Sequence, residues 1–196
     1  MFRTGFYRHG WPGQAHVDTM CYTAAMTLHD LSAATWRRMT AADLPAVCAL
    51  SASIHQAYPE DDAVFAERLR LYPDGCHVYA SADKIAAYVL SHPWRAFDAP
   101  PLNSLLGAIP AAPSTYYIHD LALAPQTRGT GTATWIVSKL AEHAFATRLS
   151  AMSLVAVNGS AGFWQRQGFV RADVPALAEK LRTYRDDGAR FMTRTL

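Results

Sequence analysis

The chain has 196 residues, 51% hydrophobic and 17% charged, with a formal net charge of +2. That length suits one domain with a sizeable core, and the balance is globular rather than disordered. The near-neutral charge, the absence of a basic stripe with interleaved aromatics, and the lack of a bilayer-length apolar run argue against nucleic-acid and membrane partners.

Three cysteines, Cys21, Cys48 and Cys76, are widely spaced and contain no CxxC pair. They read as reduced thiols, which points to the cytoplasm. No continuous apolar core precedes a small-residue cleavage site, so no signal peptide is expected.

Residues 1–34 mix Gly, His, Thr and aromatics without a period. They read as a peripheral or disordered extension, with the domain expected over 35–196. "TWRRMT" (35–40) opens the domain as a short strand. A helix follows, capped by Thr40 or Asp43, with Leu44, Val47, Leu50 and Ile54 on one face. A second helix over about 61–71 stops before Pro73. "CHVYA" (76–80) and "KIAAYVLSH" (84–92) read as two strands joined by a turn.

Residues 93–114 carry five prolines and several large apolar side chains. A connection this long, with that content, suggests an ordered functional flap. "TYYIHDLALA" (115–124) is the next strand. Its apolar alternation breaks at His119 and Asp120, as a bulge would require.

"APQTRGTGTAT" (124–134) then leads into the longest helix, 131 to about 148. Ala133, Ile136, Val137, Leu140 and Ala144 form its buried ladder. "AMSLVAV" (151–157) is a strand, and "SAGFWQRQG" (160–168) a short helix ending at Gly168. "FVRA" (169–172) and "ARFMTRTL" (189–196) complete the strands, with a helical connection near 176–184.

Poor helix formers at the start of the best helix need a reason. A helix N-terminus exposes unpartnered amides and partial positive charge. Gly129 and Gly131 keep side chains away from those donors, so a diphosphate fits, with Arg128, Thr130 and Thr132 adding contacts. The phosphate loop Gly-x4-Gly-Lys-Ser/Thr is absent. A dinucleotide fingerprint fails because its last glycine is Thr134 and the next strand lacks an acidic residue.

Gln126-x-x-Gly129-x-Gly131, preceded by Leu123-x-Pro125, resembles motif A of the GNAT N-acetyltransferase superfamily. The element order over 35–196 and the "FWQRQGF" segment extend the resemblance. It implies an α+β, three-layer fold: a mixed, mostly antiparallel twisted sheet of six or seven strands with helices on both faces. Acetyl-CoA is the implied cosubstrate.

Backbone at Leu121, Ala122 and Leu123 would pair with the pantetheine arm. Gln126 and the amides of Arg128, Gly129, Thr130, Gly131, Thr132 and Ala133 would surround the pyrophosphate, and Asn158 and Trp164 would complete the cofactor contacts. The strand ending at Ala124 and its neighbour are expected to splay around the thioester. Compact domains of this kind pair through sheet edges, so a homodimer is one expectation.

An alkylamine is protonated at neutral pH, with a pKa about three units higher, so a base aids transfer. Asp120 is the first candidate and His119 the second, with a backbone-holding role for Asp120 as the alternative. The family's acid tyrosine is Trp164 here, whose indole donates a hydrogen bond but no proton. The strand glutamate of many relatives is also missing, so either the thiolate leaves without a protein acid, or Ser153 or a tyrosine elsewhere acts through water.

The reading is direct acetyl transfer to a primary amine of a small molecule or peptide. Trp94, Phe97 and Leu102 of the flap are expected to shape the acceptor pocket. A non-catalytic acyl-CoA-binding sensor on the same fold is the rival, and a nucleotide-dependent enzyme a third reading.

Overall fold

The computed structural model describes residues 33–82 and 84–196. Residues 1–32, nearly all of the segment read as an extension, lie outside the described residues, as does Cys21. The elements are β1 (Thr35–Arg38), α1 (Leu44–Ile54), α2 (Asp62–Leu71), β2 (Cys76–Ser81), β3 (Lys84–Trp94), β4 (Thr115–Leu123), α3 (Thr132–Ala146), β5 (Ala151–Ala156), α4 (Ala161–Arg166), β6 (Val170–Arg171), α5 (Ala178–Arg182) and β7 (Arg190–Thr195).

One seven-stranded sheet runs in the order β1-β2-β3-β4-β5-β7-β6. Every neighbouring pair is antiparallel except β4 and β5. That pair is parallel because α3 carries the chain back between them, as a crossover must.

Strand alternation distributes the core. On β3, Tyr88 and Leu90 join Val47 of α1 and Val64 and Phe65 of α2. Val89 points the other way, into a cluster with Ile136, Val137 and Leu140 of α3. On β5, Met152 and Leu154 face α3, whereas Val155 faces Leu177, Trp94 and Phe191. Helices therefore cover both faces, and the fold is the expected three-layer α+β arrangement.

Ile136, Val137, Leu140 and Ala144 are buried as the periodicity predicts, and Ala141 joins them. Truncating one such side chain, Leu140 for example, typically costs about 2–5 kcal/mol. Thr40 and Asp43 close the 3-10 turn Ala41–Asp43 that leads into α1, whereas Asp43, at the N-cap of α1 itself, makes no side-chain bond to that helix. The Asp43 carboxylate accepts the Thr40 N–H at 2.8 Å and both Arg37 nitrogens at 2.8 and 2.7 Å. Hydrogen bonding from Arg37 holds that carboxyl down at about 2.

Candidate active site

The site begins with a defect in the sheet. Leu90 pairs with Asp120 and Ser91 with Ile118, so His119 is the extra residue of a bulge in β4. Neighbours in a regular strand face opposite ways, but an inserted residue cancels that alternation. His119 and Asp120 consequently meet groups on the same side of the sheet. The His119 ring lies 6.4 Å from that of His92, and Asp120 accepts the Tyr88 hydroxyl.

A second irregularity opens space beside them. The β4–β5 ladder pairs Tyr116 with Met152, Tyr117 with Ser153 and Ile118 with Leu154, and ends there. Both strands continue apart, as expected for a splayed pair. A cavity of about 380 Å³ fills the gap, lined by Leu121, Ala122 and Leu123 on one side and Leu154, Val155 and Val157 on the other. His119 and Asp120 line its wall.

Each of these two residues belongs to a carboxylate–imidazole pair. His119 Nε2 lies 3.0 Å from Glu60 Oε2, with both side chains buried. Asp120 Oδ1 lies 3.1 Å from His55 Nε2, an ion pair off the line of a good hydrogen bond. Burial pushes Asp120 up, but His55 and the Tyr88 hydroxyl outweigh it and hold the carboxyl below its usual range. Burial likewise lowers His55, yet Asp120 beside it raises the imidazole overall. Glu60 is raised by burial and lowered further by His119, for a net depression.

Asp120 thus has the Tyr88 hydroxyl on one oxygen and the His55 ring near the other, whereas His119 has a carboxylate on Nε2 alone. The tautomer that donates Nε2–H to Glu60 leaves Nδ1 with a lone pair.

At the far end of the cavity the chain makes the turn that the sequence singled out. Gly129 and Gly131 have φ of 77° and 84°, the left-handed region that glycine enters without penalty. An added Cβ at either would meet nothing within 4 Å, so backbone conformation, not crowding, selects glycine. The first helical bond of α3 runs from Trp135 N–H to Gly131 O at 2.9 Å. The amides of Thr132, Ala133 and Thr134 precede it and have no intrahelical acceptor.

Arg128, Gly129, Ala133, Asn158 and Trp164 line the cavity, while Gln126, Thr130, Gly131 and Thr132 stand outside its lining. The threonine hydroxyls are occupied within the turn. Thr130 Oγ1 donates to Thr127 O at 2.8 Å and lies 2.7 Å from Thr132 Oγ1. Trp164 is a buried wall residue, edge-on to Phe163 and Phe169.

Other expectations change. Ser153 is fully buried and shares a 3.2 Å hydrogen bond with Thr115, away from the cavity. Of the flap residues, Leu102 alone of the three reaches the cavity. Trp94 belongs to β3 and packs beneath with Ala99 and Tyr117, and Phe97 is 60% exposed.

Glu60, His55, Tyr58 and Tyr184 line the cavity without having been singled out as chemistry. Burial raises the Tyr184 phenol, keeping it a protonated donor. Asp186 lies beside these residues. It accepts the Tyr58 hydroxyl and the Asn158 N–H, each at 2.9 Å, joining opposite walls.

Among the described residues, no group of three His, Cys, Asp or Glu could hold a metal ion, and no helix is long and apolar enough to cross a membrane.

A splayed parallel strand pair with an anion-ready turn at its end defines a class of protein. The acetyltransferase (GNAT) family model matches residues 34–169. The chain belongs to that family. Solved structures agree in fold. Ard1 from Thermoplasma volcanium shares 14% identity at a TM-score of 0.62, covering 84% of this chain and 98% of its own. The GphF GNAT-like decarboxylase, solved with isobutyryl-CoA, shares 15% identity at a TM-score of 0.69, covering 82% and 98%. N-acetylglutamate synthase from Neisseria gonorrhoeae, solved with coenzyme A and N-acetyl-glutamate, shares 14% identity at a TM-score of 0.62, covering 83% of this chain and 35% of its own. No curated protein matches the chain.

Proposed function

We propose that residues 35–196 form an acetyl-CoA-dependent N-acetyltransferase that acts on a primary amine of a small molecule or peptide. The observation that carries this reading is the single cavity shared by the open edge of β4, the turn at Arg128 and Gly129, and the His119–Glu60 pair. Coenzyme A runs along that path. Its pantetheine amides pair with the backbone at Leu121, Ala122 and Leu123, because an unpaired strand edge is a template for an extended chain. The Arg128 N–H already donates to Pro125 O at 3.2 Å, so the pyrophosphate meets the amides from Gly129 to Ala133, with the Arg128 guanidinium beside them.

In the transfer itself, His119 takes one proton from the ammonium through Nδ1, directly or through a water, while Glu60 holds the ring and its developing charge. Asp120 supports the site electrostatically and keeps His55 in place. The amine nitrogen attacks the thioester carbon, and an amide at the β4 edge stabilises the oxyanion. The C–S bond then breaks. The nitrogen's second proton ends on the sulfur by way of solvent, and His119 returns its own proton to bulk. Tyr184, whose proton is held more tightly than that of a free phenol, donates a hydrogen bond in the acceptor half without giving the proton up.

The two carboxylate–imidazole pairs favour this enzyme over a non-catalytic sensor, which needs no organised base. Free Cys48 and Cys76 fit work in a reducing compartment such as the cytoplasm. Thiol release from acetyl-CoA over a panel of primary amines tests the reading. Release that depends on an amine and falls in His119→Gln supports it; coenzyme A binding with no release for any amine supports the sensor.

A further inference from the structure

The connection between β3 and β4 is held by carboxylates on its backbone. The Glu67 carboxylate, 8% exposed, accepts the Leu106 N–H at 2.7 Å and the Gly107 N–H at 3.0 Å. Its charge is matched by the neighbouring Arg68, 1% exposed, which donates to Glu67 at 2.6 Å and to the Ser104 carbonyl at 2.8 Å. Two buried ionic groups of α2 therefore bind one short stretch of loop. Buried ion pairs are costly unless hydrogen bonds satisfy them, and here the loop backbone supplies partners to both Glu67 oxygens and to one Arg68 nitrogen, while Arg68 Nε has none.

The same stretch touches the chemistry. Asn103 N–H donates at 3.0 Å to Glu60 Oε1, the second oxygen of the carboxylate that holds His119. Asn103 also exchanges bonds with Asp61, accepting its N–H at 2.8 Å and donating to its carboxylate at 3.2 Å. Leu102, next in the chain, lines the cavity.

We propose that residues 102–107 are a latched wall of the acceptor pocket, with Leu102 setting acceptor size, Glu67 holding the wall shut, and Glu60 joining the wall to the base pair. Glu67 is thus a positioning residue, remote from the reacting atoms. The inference rests on the acyltransferase reading for its substrate, but the latch itself is a property of the fold. Backbone amides are the groups gripped, so the latch constrains loop position while leaving the side chain at 102 free to set specificity. When the wall is seated, Glu60 faces both Asn103 and His119; when it lifts, Glu60 loses a donor and the pocket gains room.

Glu67→Gln in the full chain tests the latch, because a neutral amide cannot accept from three donors at once. Amide exchange at Leu106 and Gly107 should quicken by about tenfold or more as local opening becomes easier. Coenzyme A affinity should stay within about twofold, since the phosphate turn is elsewhere. The ratio of kcat/KM for phenethylamine over ethylamine should rise by about tenfold, the scale on which pocket size discriminates.

Leu102→Ala, a cavity-facing change that leaves both ion pairs intact, should raise the same ratio without altering exchange. Wild-type exchange at both amides in Glu67→Gln would overturn the latch, and an unchanged amine ratio in Leu102→Ala would overturn the specificity role. Wild-type protein releasing thiol with neither amine counts against the acyltransferase reading instead, while exchange still decides the latch.

Discussion

Glu60 and His119 stand 59 positions apart in sequence and 3.0 Å apart in space. The bulge in β4 brings them together. In a regular strand His119 and Asp120 would point to opposite faces, and only one of the two carboxylate–imidazole pairs could share the cavity.

His119→Gln should lower kcat by about 10²–10⁴-fold, the usual contribution of a positioned base, with coenzyme A affinity preserved. Glu60→Gln should lose less, because the ring remains while its orienting charge is gone. Steady-state kinetics and calorimetry on both variants separate the effects. An Asp120→Asn variant with a larger loss than His119→Gln would reverse the assignment of the base.

The His55–Asp120 pair should make stability depend on pH in a defined window. His55 is raised in the folded state, so its contribution is complete below the ordinary imidazole value and fades as pH rises through the folded one. Asp120 is lowered, so its contribution is present above the ordinary carboxylate value and fades as pH falls through the folded one. The Tm difference between wild type and His55→Gln should therefore be largest between the ordinary carboxylate value and the ordinary imidazole value, shrinking as pH falls through the depressed Asp120 value or rises through the elevated His55 value. A flat difference across acid and alkaline pH would remove the pair from the stability account.

Gly131→Ala should destabilise the fold by about 1–2 kcal/mol, the backbone cost of a left-handed alanine. Since an added Cβ meets nothing, the loss is conformational. Denaturant midpoints measure it, and coenzyme A affinity should fall in parallel as the turn relaxes.

Ser153→Ala separates cavity from core. The hydroxyl is sealed beside Thr115, so its loss should cost about 1 kcal/mol of stability while kcat/KM stays within about twofold. A large kinetic defect would reinstate Ser153 as a proton relay.

The sequence carried the parts of this site that are local. The break in alternation around His119 is a bulge because apolar positions on both sides of it must reach the core. The turn at Gly129 and Gly131 is legible because poor helix formers mark it. The partners of His119 and Asp120 were not legible. Glu60 sits in a polar loop whose local pattern says only that α1 has ended, and His55 looks like one of several scattered histidines. Their value arises from long-range pairing, which no spacing rule encodes. The flap was seen as a unit, but side-chain directions were not. Trp94 continues the β3 ladder and is buried by it, whereas Phe97, at φ 55°, is turned outward.

The proposed site turns on one cradle of amides holding a pyrophosphate at the mouth of the splayed strands. Backbone amide shifts during a coenzyme A titration test it most directly. The account predicts that the largest perturbations fall on Gly129 to Ala133, with a second set at Leu121 to Leu123. Saturable binding that leaves both segments unmoved, or no binding at millimolar coenzyme A, would contradict it.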